Sequence, residues 1–169
     1  MSVIANTTII SNFAGIGQLS VLKQLFNVIF ISVEVYEEIQ SGLEEGYQFY
    51  SGIDQNIHPF VAQGWIHLIS MRDDEELLLF NQLPSTLHRG EASCLAIARS
   101  RNWLFLTDDK AARKAATNLG IRLSGTLGCL VLSVERKLYS FEQANRWLTE
   151  MVRLGYRSPA TDLTGLLKR

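Results

Sequence analysis

The chain has 169 residues, of which 47% are hydrophobic and 20% charged, and this length and composition are those of one ordinary globular domain. No apolar run approaches the roughly 20 residues that span a bilayer, and the N-terminal MSVIANTT lacks the basic region of a secretory signal, so we expect a cytoplasmic protein without membrane contact. Cys94 and Cys129 have neither CxxC spacing nor neighbouring histidines, which predicts small core residues rather than disulfide or zinc ligands.

The net charge of -1 hides an uneven distribution along the chain. Residues 1–98 carry 3 basic and 11 acidic side chains, whereas residues 99–169 carry 13 basic and 6 acidic ones. Such a division can give one protein both a carboxylate cluster that holds cations and a basic surface that holds phosphate. The alternative is that the fold interleaves the charges, and the sequence leaves both possibilities open.

Short apolar strands alternate with amphipathic helices along the chain. In chain order we predict strand Val3–Ala5, helix Ser20–Leu25, strand Val28–Ile31, helix Val33–Tyr50, strand Ile66–Ile69, helix Asp74–Asn81, helix Gly90–Arg101, strand Leu104–Leu106, helix Asp109–Leu119, strand Ile121–Leu123, helix Thr126–Glu135 and helix Phe141–Leu154. This pattern is typical of βαβ units. It predicts an α/β three-layer fold in which helices flank a central, mainly parallel sheet.

Local chemistry sets several of these boundaries. Asn102 and Gly120 each follow a predicted helix and suit the left-handed backbone with which helices often end, and Pro159 marks the start of a tail. No repeat, low-complexity segment or Pro/Gly/Ser linker introduces a second domain. We therefore expect one domain over residues 1–158 and a C-terminal tail over residues 159–169.

Polar residues collect where predicted strands end. Asn6-Thr7-Thr8 follows the first strand, Asp108-Asp109 follows the strand Leu104–Leu106, and Gly90-Glu91 opens the helix that leads into that strand. Reactive groups of open parallel sheets gather beyond the carboxyl ends of the strands. A further acid must come from the helix after Val28–Ile31, but Glu37 and Glu38 both lie off its apolar stripe, so spacing alone does not choose between them.

Carboxylates gathered in this way repel one another unless a cation neutralises them, which favours hard divalent ions such as Mg²⁺ or Mn²⁺. Each acid also has a structural explanation. Asp108 or Asp109 can cap the following helix, Asp109 can pair with Arg113, and Glu91 suits a helix N-terminus. Taken singly, the structural explanation is favoured for every one, and only their joint placement favours a metal site.

Four separated blocks of the sequence resemble the PIN-domain superfamily, specifically its VapC-like branch of small prokaryotic proteins. The blocks are VIANTTIISNFAGIGQLSVLKQLF, VIFISVEVYEEIQSG, LHRGEASCLAIARSRNWLFLTDDKAARKAA and GIRLSGTLGCL. The GEA…LTDD…AR…GTLG series is the most specific part, because order, spacing and residue type all agree.

The resemblance implies a PIN-like, Rossmann-like fold and a metal-dependent ribonuclease site with Mg²⁺ or Mn²⁺. It selects Glu38 over Glu37 and implies four metal ligands: Glu38, Glu91, Asp108 and Asp109. The catalytic set adds Asn6, which stands where the family has Asp and supplies no negative charge. Thr8 matches the hydroxyl position of the same motif, and Arg113 supports the site by reaching either Asp109 or phosphate.

The function that follows from the resemblance is hydrolysis of RNA phosphodiester bonds by a metal-dependent endoribonuclease. The same resemblance implies that the protein is the toxin of a toxin-antitoxin pair, with a cognate antitoxin and a homodimeric state. The alternative, motivated by Asn6, is a catalytically weakened or inactive module that binds RNA or a protein. A more remote possibility is an α/β enzyme that uses one metal ion on a small phosphorylated substrate.

Overall fold

The computed structural model describes residues 1–167 and contains a six-stranded sheet in which every neighbouring pair is parallel. The strands are β1 (Val3–Ala5), β2 (Ile29–Ser32), β3 (Ile57–His58), β4 (Ile66–Ile69), β5 (Leu104–Leu106) and β6 (Leu123–Ser124). Their order across the sheet is β3-β4-β2-β1-β5-β6. The first strand of the chain therefore lies inside the sheet, between β2 and β5.

Eight α-helices connect and cover these strands within the described residues. They are α1 (Thr7–Gly15), α2 (Ser20–Phe26), α3 (Val33–Glu44), α4 (Asp74–Gln82), α5 (Arg89–Arg101), α6 (Lys110–Asn118), α7 (Thr126–Glu135) and α8 (Phe141–Arg153). Helix α5 packs against α3, α4 and α6, whereas α7 packs against α2 and α8. The predicted α/β fold with helices flanking a parallel sheet is confirmed.

Side-chain caps explain where several helices begin. Ser32 caps α3, Asp73 caps α4 and Ser140 caps α8, each by accepting a hydrogen bond from the backbone N–H three residues on. At the other end of α5, Asn102 has φ 56, the left-handed conformation expected of it from the sequence. These local signals explain why most helix boundaries were predicted within one or two residues.

The core consists of aliphatic and aromatic side chains from the strands and from the inward faces of the helices. Cys94 and Cys129 are both buried and both free thiols, which confirms their assignment as core residues. Leu163, beyond α8, is fully buried, and its N–H donates to Asn145 Oδ1 at 2.9 Å. Residues 168 and 169 of the predicted tail lie outside the described residues, and the boundary at residue 158 stays a prediction. Within residues 1–167, no helix is both long and apolar enough to cross a membrane.

The predicted helix Val33–Tyr50 was wrong in its last third. Helix α3 ends at Glu44, because Gly46 takes φ 102, and a separate 3-10 turn covers Gln48–Tyr50. The returning chain buries Tyr50 against Gly42, where an added Cβ would stand 2.8 Å from the Tyr50 ring. Packing of this ring on a glycine holds the returning chain against α3.

Three elements were not predicted, and one was displaced. Helix α1 begins with Thr-Thr-Ile-Ile, whose β-branched residues have low helix propensity, yet its buried Ile9, Ile10, Phe13 and Ala14 fit one helical face. Strand β3 has only two residues and was missed for that reason, as was the 3-10 turn Ile53–Asn56. The strand predicted at Ile121–Leu123 is β6, and it begins later because the N–H of Ile121 bonds to the Ala116 carbonyl and closes α6.

Candidate active site

The carboxyl ends of β1 and β5 are joined by a buried polar network around Asn6. Asn6 is 1% exposed; its Nδ2 donates to Thr107 Oγ1 at 2.8 Å, and its Oδ1 accepts from Thr8 Oγ1 at 2.7 Å. The Asp108 backbone N–H donates in turn to Thr8 Oγ1 at 3.0 Å. Thr8 therefore orients Asn6, as its position in the motif predicted, and ties the loop after β1 to the loop after β5.

Glu38 reaches this edge of the sheet from α3. Its Oε1 accepts the backbone N–H of Gly90 at 2.9 Å, and its Oε2 accepts a short hydrogen bond from the Thr7 hydroxyl. A Cβ at Gly90 would stand 2.5–2.7 Å from the Glu38 carboxylate, so glycine is what lets α5 approach the acid. Glu37 is exposed. The structure thus places Glu38, not Glu37, at this edge.

Glu91 lies in the first turn of α5 and is 7% exposed. Its Oε2 accepts the His88 backbone N–H at 2.9 Å, as in a capping box. Burial raises the pKa of Glu91, the hydrogen bond from His88 opposes that effect, and the charges of Asp109 and Glu38 raise the pKa further. Asp109 and Glu38 therefore both lie within electrostatic range of Glu91.

Asp109 is the N-cap of α6. Its Oδ1 accepts the Ala112 N–H at 2.7 Å, and its own N–H donates to Thr107 Oγ1 at 3.1 Å. Asp109 therefore does cap the following helix, but capping uses only one of its two carboxylate oxygens. We call Glu38, Glu91 and Asp109 the acidic triad.

Asp108 has a different environment from its neighbour. Its Oδ1 accepts the Thr126 N–H at 2.9 Å and the Tyr156 hydroxyl at 3.3 Å, while its Oδ2 accepts Asn12 Nδ2 at 2.9 Å and the Thr126 hydroxyl. A Cβ on Gly125 would stand 2.6 Å from Oδ1. Four donors therefore engage this carboxylate, which joins α1, α7 and the segment after α8 to the end of β5.

Apart from Thr8, sequence reasoning did not single out the side chains that hydrogen-bond to Asp108 and Asn6. Asn12, Thr107 and Thr126 all lie inside the blocks that resemble PIN domains, so their position in those blocks was an available signal. Tyr156 lies in the poorly matched C-terminal part, and nothing in the sequence pointed to it.

Arg113 does not pair with Asp109. Its Nη1 donates to the Thr107 carbonyl at 2.9 Å, and among the ion pairs of residues 1–167 none joins it to an acid. Because Asp109 turns its carboxylate toward the N-terminus of α6 as a cap, the expected i,i+4 pair does not form.

The two charge types occupy separate clefts beside the network. One cleft of about 670 Å³ is lined by Glu34, Glu37, Glu38 and Glu45 together with His88 and Arg89. A second cleft, of about 520 Å³, is lined by Lys110, Arg113 and Arg157, with Asp108 on its wall. We call the second the basic cleft. Acids from the first 98 residues thus line one cleft, and cations from the later part of the chain line the other.

A family model confirms that these blocks are those of a PIN domain. The model of family DUF3368, described as a PIN domain, matches residues 2–169. The chain belongs to this PIN-domain family. No curated protein and no solved structure matched the chain in the same comparisons.

PIN domains are generally divalent-metal-dependent nucleases, and the donor set of this one is consistent with that chemistry. The acidic triad supplies oxygen ligands of the kind that Mg²⁺ and Mn²⁺ prefer, and mutual repulsion adds to the raised pKa of Glu91, which a cation would relieve. As arranged here, no group of three or more Asp, Glu, His or Cys side chains within residues 1–167 converges closely enough to hold a metal ion. The four predicted ligands therefore stay a prediction, and Asp108 would have to release hydrogen bonds to act as one.

Proposed function

We propose that this PIN domain is a metal-dependent endoribonuclease that hydrolyses phosphodiester bonds of single-stranded RNA. The observation that supports it best is the acidic triad, three carboxylates from α3, α5 and the loop after β5, in which Glu38 and Asp109 each act electrostatically on the buried Glu91. Like charges are costly to assemble without a counter-ion, and helix capping alone does not require two further acids near Glu91.

The proposed roles follow from the contacts of each residue. Asp109 and Glu91 each direct one carboxylate oxygen to a helix N-terminus, the other Glu91 oxygen lies 3.9 Å from His88 Nδ1, and Glu38 is fixed between Gly90 and Thr7. A Mg²⁺ or Mn²⁺ ion held by these three acids would supply a water of lowered pKa and would neutralise charge on the phosphodiester.

Asn6 takes the place of the expected acid without breaking the network. Its amide donates to Thr107 and accepts from Thr8, so its oxygen is oriented although it is neutral. One negative charge fewer weakens the attraction for a dication, and we expect the wild-type enzyme to need a higher metal concentration than an Asn6→Asp variant.

We place the chain in the VapC-like branch, as the toxin of a toxin-antitoxin pair, on the strength of the GEA…LTDD…AR…GTLG series. A cognate antitoxin and a homodimer are part of that proposal. A short reading frame directly upstream that encodes a small protein, and loss of activity when that protein is added, would support it. Full activity in the presence of the upstream product would count against it.

The direct test is cleavage of single-stranded RNA by purified protein with Mn²⁺ or Mg²⁺. Asp109→Asn should abolish cleavage while keeping the helix cap, because Asn caps helices about as well as Asp. Asp73→Asn is the matched control, since Asp73 caps α4 by the same contact, to Glu76 N–H at 3.0 Å, away from the triad. Equal activity of the two variants would contradict the proposed role of the acidic triad.

The Asn6→Asp variant distinguishes an active enzyme from a binding module. If the wild-type protein is inert over a range of RNAs and metal concentrations and Asn6→Asp cleaves, the natural protein is a catalytically silent module. If both cleave, and Asn6→Asp does so at lower metal concentration, the proposal holds.

A further inference from the structure

The basic cleft adjoins the acidic triad along the chain. The charge of Asp109 acts on Glu91, whereas the preceding residue, Asp108, lies on the wall of the basic cleft. The cleft therefore begins one residue from a member of the triad, so its charges bear on the path of an RNA strand held there.

Two cations of the basic cleft are not committed to any partner. Lys110 and Arg157 are exposed, and neither makes a hydrogen bond or an ion pair with another residue of the described chain. Arg113 is half-buried and is fixed by its hydrogen bond to the Thr107 carbonyl. The cleft thus presents two free cations beside one that is held in place.

The acid on the cleft wall cancels only part of this charge. Asp108 is the one carboxylate among the described residues that line the cleft, against three cations, and four donors already engage its two oxygens. One of these donors is the hydroxyl of Tyr156, which also lines the cleft. The hydroxyls of Ser124 and Ser158 also line the cleft and add polar groups of a size suited to phosphate oxygens.

We infer that the basic cleft binds a backbone phosphate of the RNA strand next to the one held at the acidic triad, through Lys110, Arg113 and Arg157. This rests on the proposed function and assigns the path of its substrate. Arg157 comes from the segment after α8, so that segment is part of the substrate-binding surface rather than an appendage. The cations also offset the repulsion between the acidic triad and a polyanion.

The test is the affinity for a short single-stranded RNA of mixed sequence, measured by fluorescence anisotropy with a chelator present so that the strand is not cut. The double variant Lys110→Gln/Arg157→Gln should bind at least about tenfold more weakly at low salt, and the slope of log affinity against log salt should fall by up to about 0.7, the value for one phosphate contact on a single strand. Arg113 is left unchanged because it also supports the Thr107 loop.

The matched control is Lys23→Gln/Arg99→Gln. Both residues are exposed and lie near the C-terminal ends of α2 and α5, helices that run back to the opposite edge of the sheet before β2 and β5. This variant removes the same two charges and should leave affinity and salt slope nearly unchanged. An equal loss in both double variants would show that only net charge matters and would overturn the inference.

Two further results separate this inference from the proposed function. If wild type binds or cleaves RNA and Lys110→Gln/Arg157→Gln binds equally well, the basic cleft is not a phosphate site although the nuclease assignment stands. If wild type neither binds RNA nor cleaves it with Mn²⁺, the proposed function fails and the path assigned here fails with it.

Discussion

Replacing Gly90 with alanine tests the contact that holds Glu38 in the acidic triad. The new Cβ would lie 2.5–2.7 Å from the three nearest atoms, all in the Glu38 carboxyl group, so that side chain must move. Because the obstacle is the far end of a flexible side chain, α5 itself need not shift. We therefore expect the fold to survive and the triad to lose one member.

Two opposing effects determine how much Gly90→Ala changes the free energy of unfolding. The hydrogen bond from Gly90 N–H to Glu38 at 2.9 Å involves a charged acceptor, and its loss costs about 1.5–3 kcal/mol, with the lower end appropriate to a partly exposed group. Alanine in place of glycine inside a helix stabilises by up to about 1 kcal/mol. The net expectation is destabilisation by about 0.5–1 kcal/mol, with a much larger loss of RNA cleavage.

Gly90→Ala should stabilise the protein, rather than destabilise it, when Glu38 is already alanine. In that background the carboxylate is absent, so only helix propensity remains and Gly90→Ala should stabilise by up to about 1 kcal/mol. Urea unfolding followed by circular dichroism on the four variants measures the coupling. Gly15→Ala is the control, because Gly15 ends α1 with nothing within 4 Å of its added Cβ, and it should show the same effect in both backgrounds. If Gly90→Ala changes stability by the same amount and sign in both backgrounds, the proposed contact does not hold the acid.

Two other substitutions test the polar framework around the site. Asp108→Ala should destabilise the protein by about 3 kcal/mol, because it leaves four donors without their acceptor. Asp109→Ala removes one helix cap and should cost about 1 kcal/mol. Equal free energies of unfolding in urea for the two variants would contradict the different roles given to the two aspartates. Glu76 is fully buried, and although burial alone would raise its pKa, hydrogen bonds from Arg101 (2.7 Å) and the Arg72 backbone, with the Arg101 charge, lower it overall. A lowered folded-state pKa gives stability that is present above the unfolded-state pKa near 4.5 and is lost as the pH falls through the folded-state value. Glu76→Gln should therefore flatten the acid side of a plot of unfolding free energy against pH. An unchanged acid side in this variant would refute the coupling.

The sheet and most helices were predictable because their signals are local. Ser140 before Phe141, Asn102 after Arg101 and the short apolar run Leu104–Leu106 each specify a boundary by the chemistry of a few adjacent residues. Helix α1 was not predictable in the same way. Its β-branched start disfavours a helix, and only burial of Ile9 and Phe13 against other parts of the chain stabilises it.

The sequence indicated the acids of the candidate site, which remain a prediction, but it did not indicate most of the residues that hold them in place. Order along the chain placed Glu91, Asp108 and Asp109 near strand ends, but it treated the two adjacent aspartates as equivalent. Their difference depends on Thr126 and Tyr156, which approach Asp108 from 18 and 48 residues away, and distance along the sequence conceals such contacts. The space for Glu38 likewise depends on Gly90, 52 residues later.

The position of β1 inside the sheet has a consequence for the order in which the protein becomes complete. Strand β1 is synthesised about a hundred residues before β5, one of its two neighbouring strands, and Tyr156 follows Asp108 by 48 residues. A chain that stops before β5 therefore leaves one edge of β1 without its partner strand, and a chain that stops before Tyr156 leaves the hydrogen bonds around Asp108 incomplete.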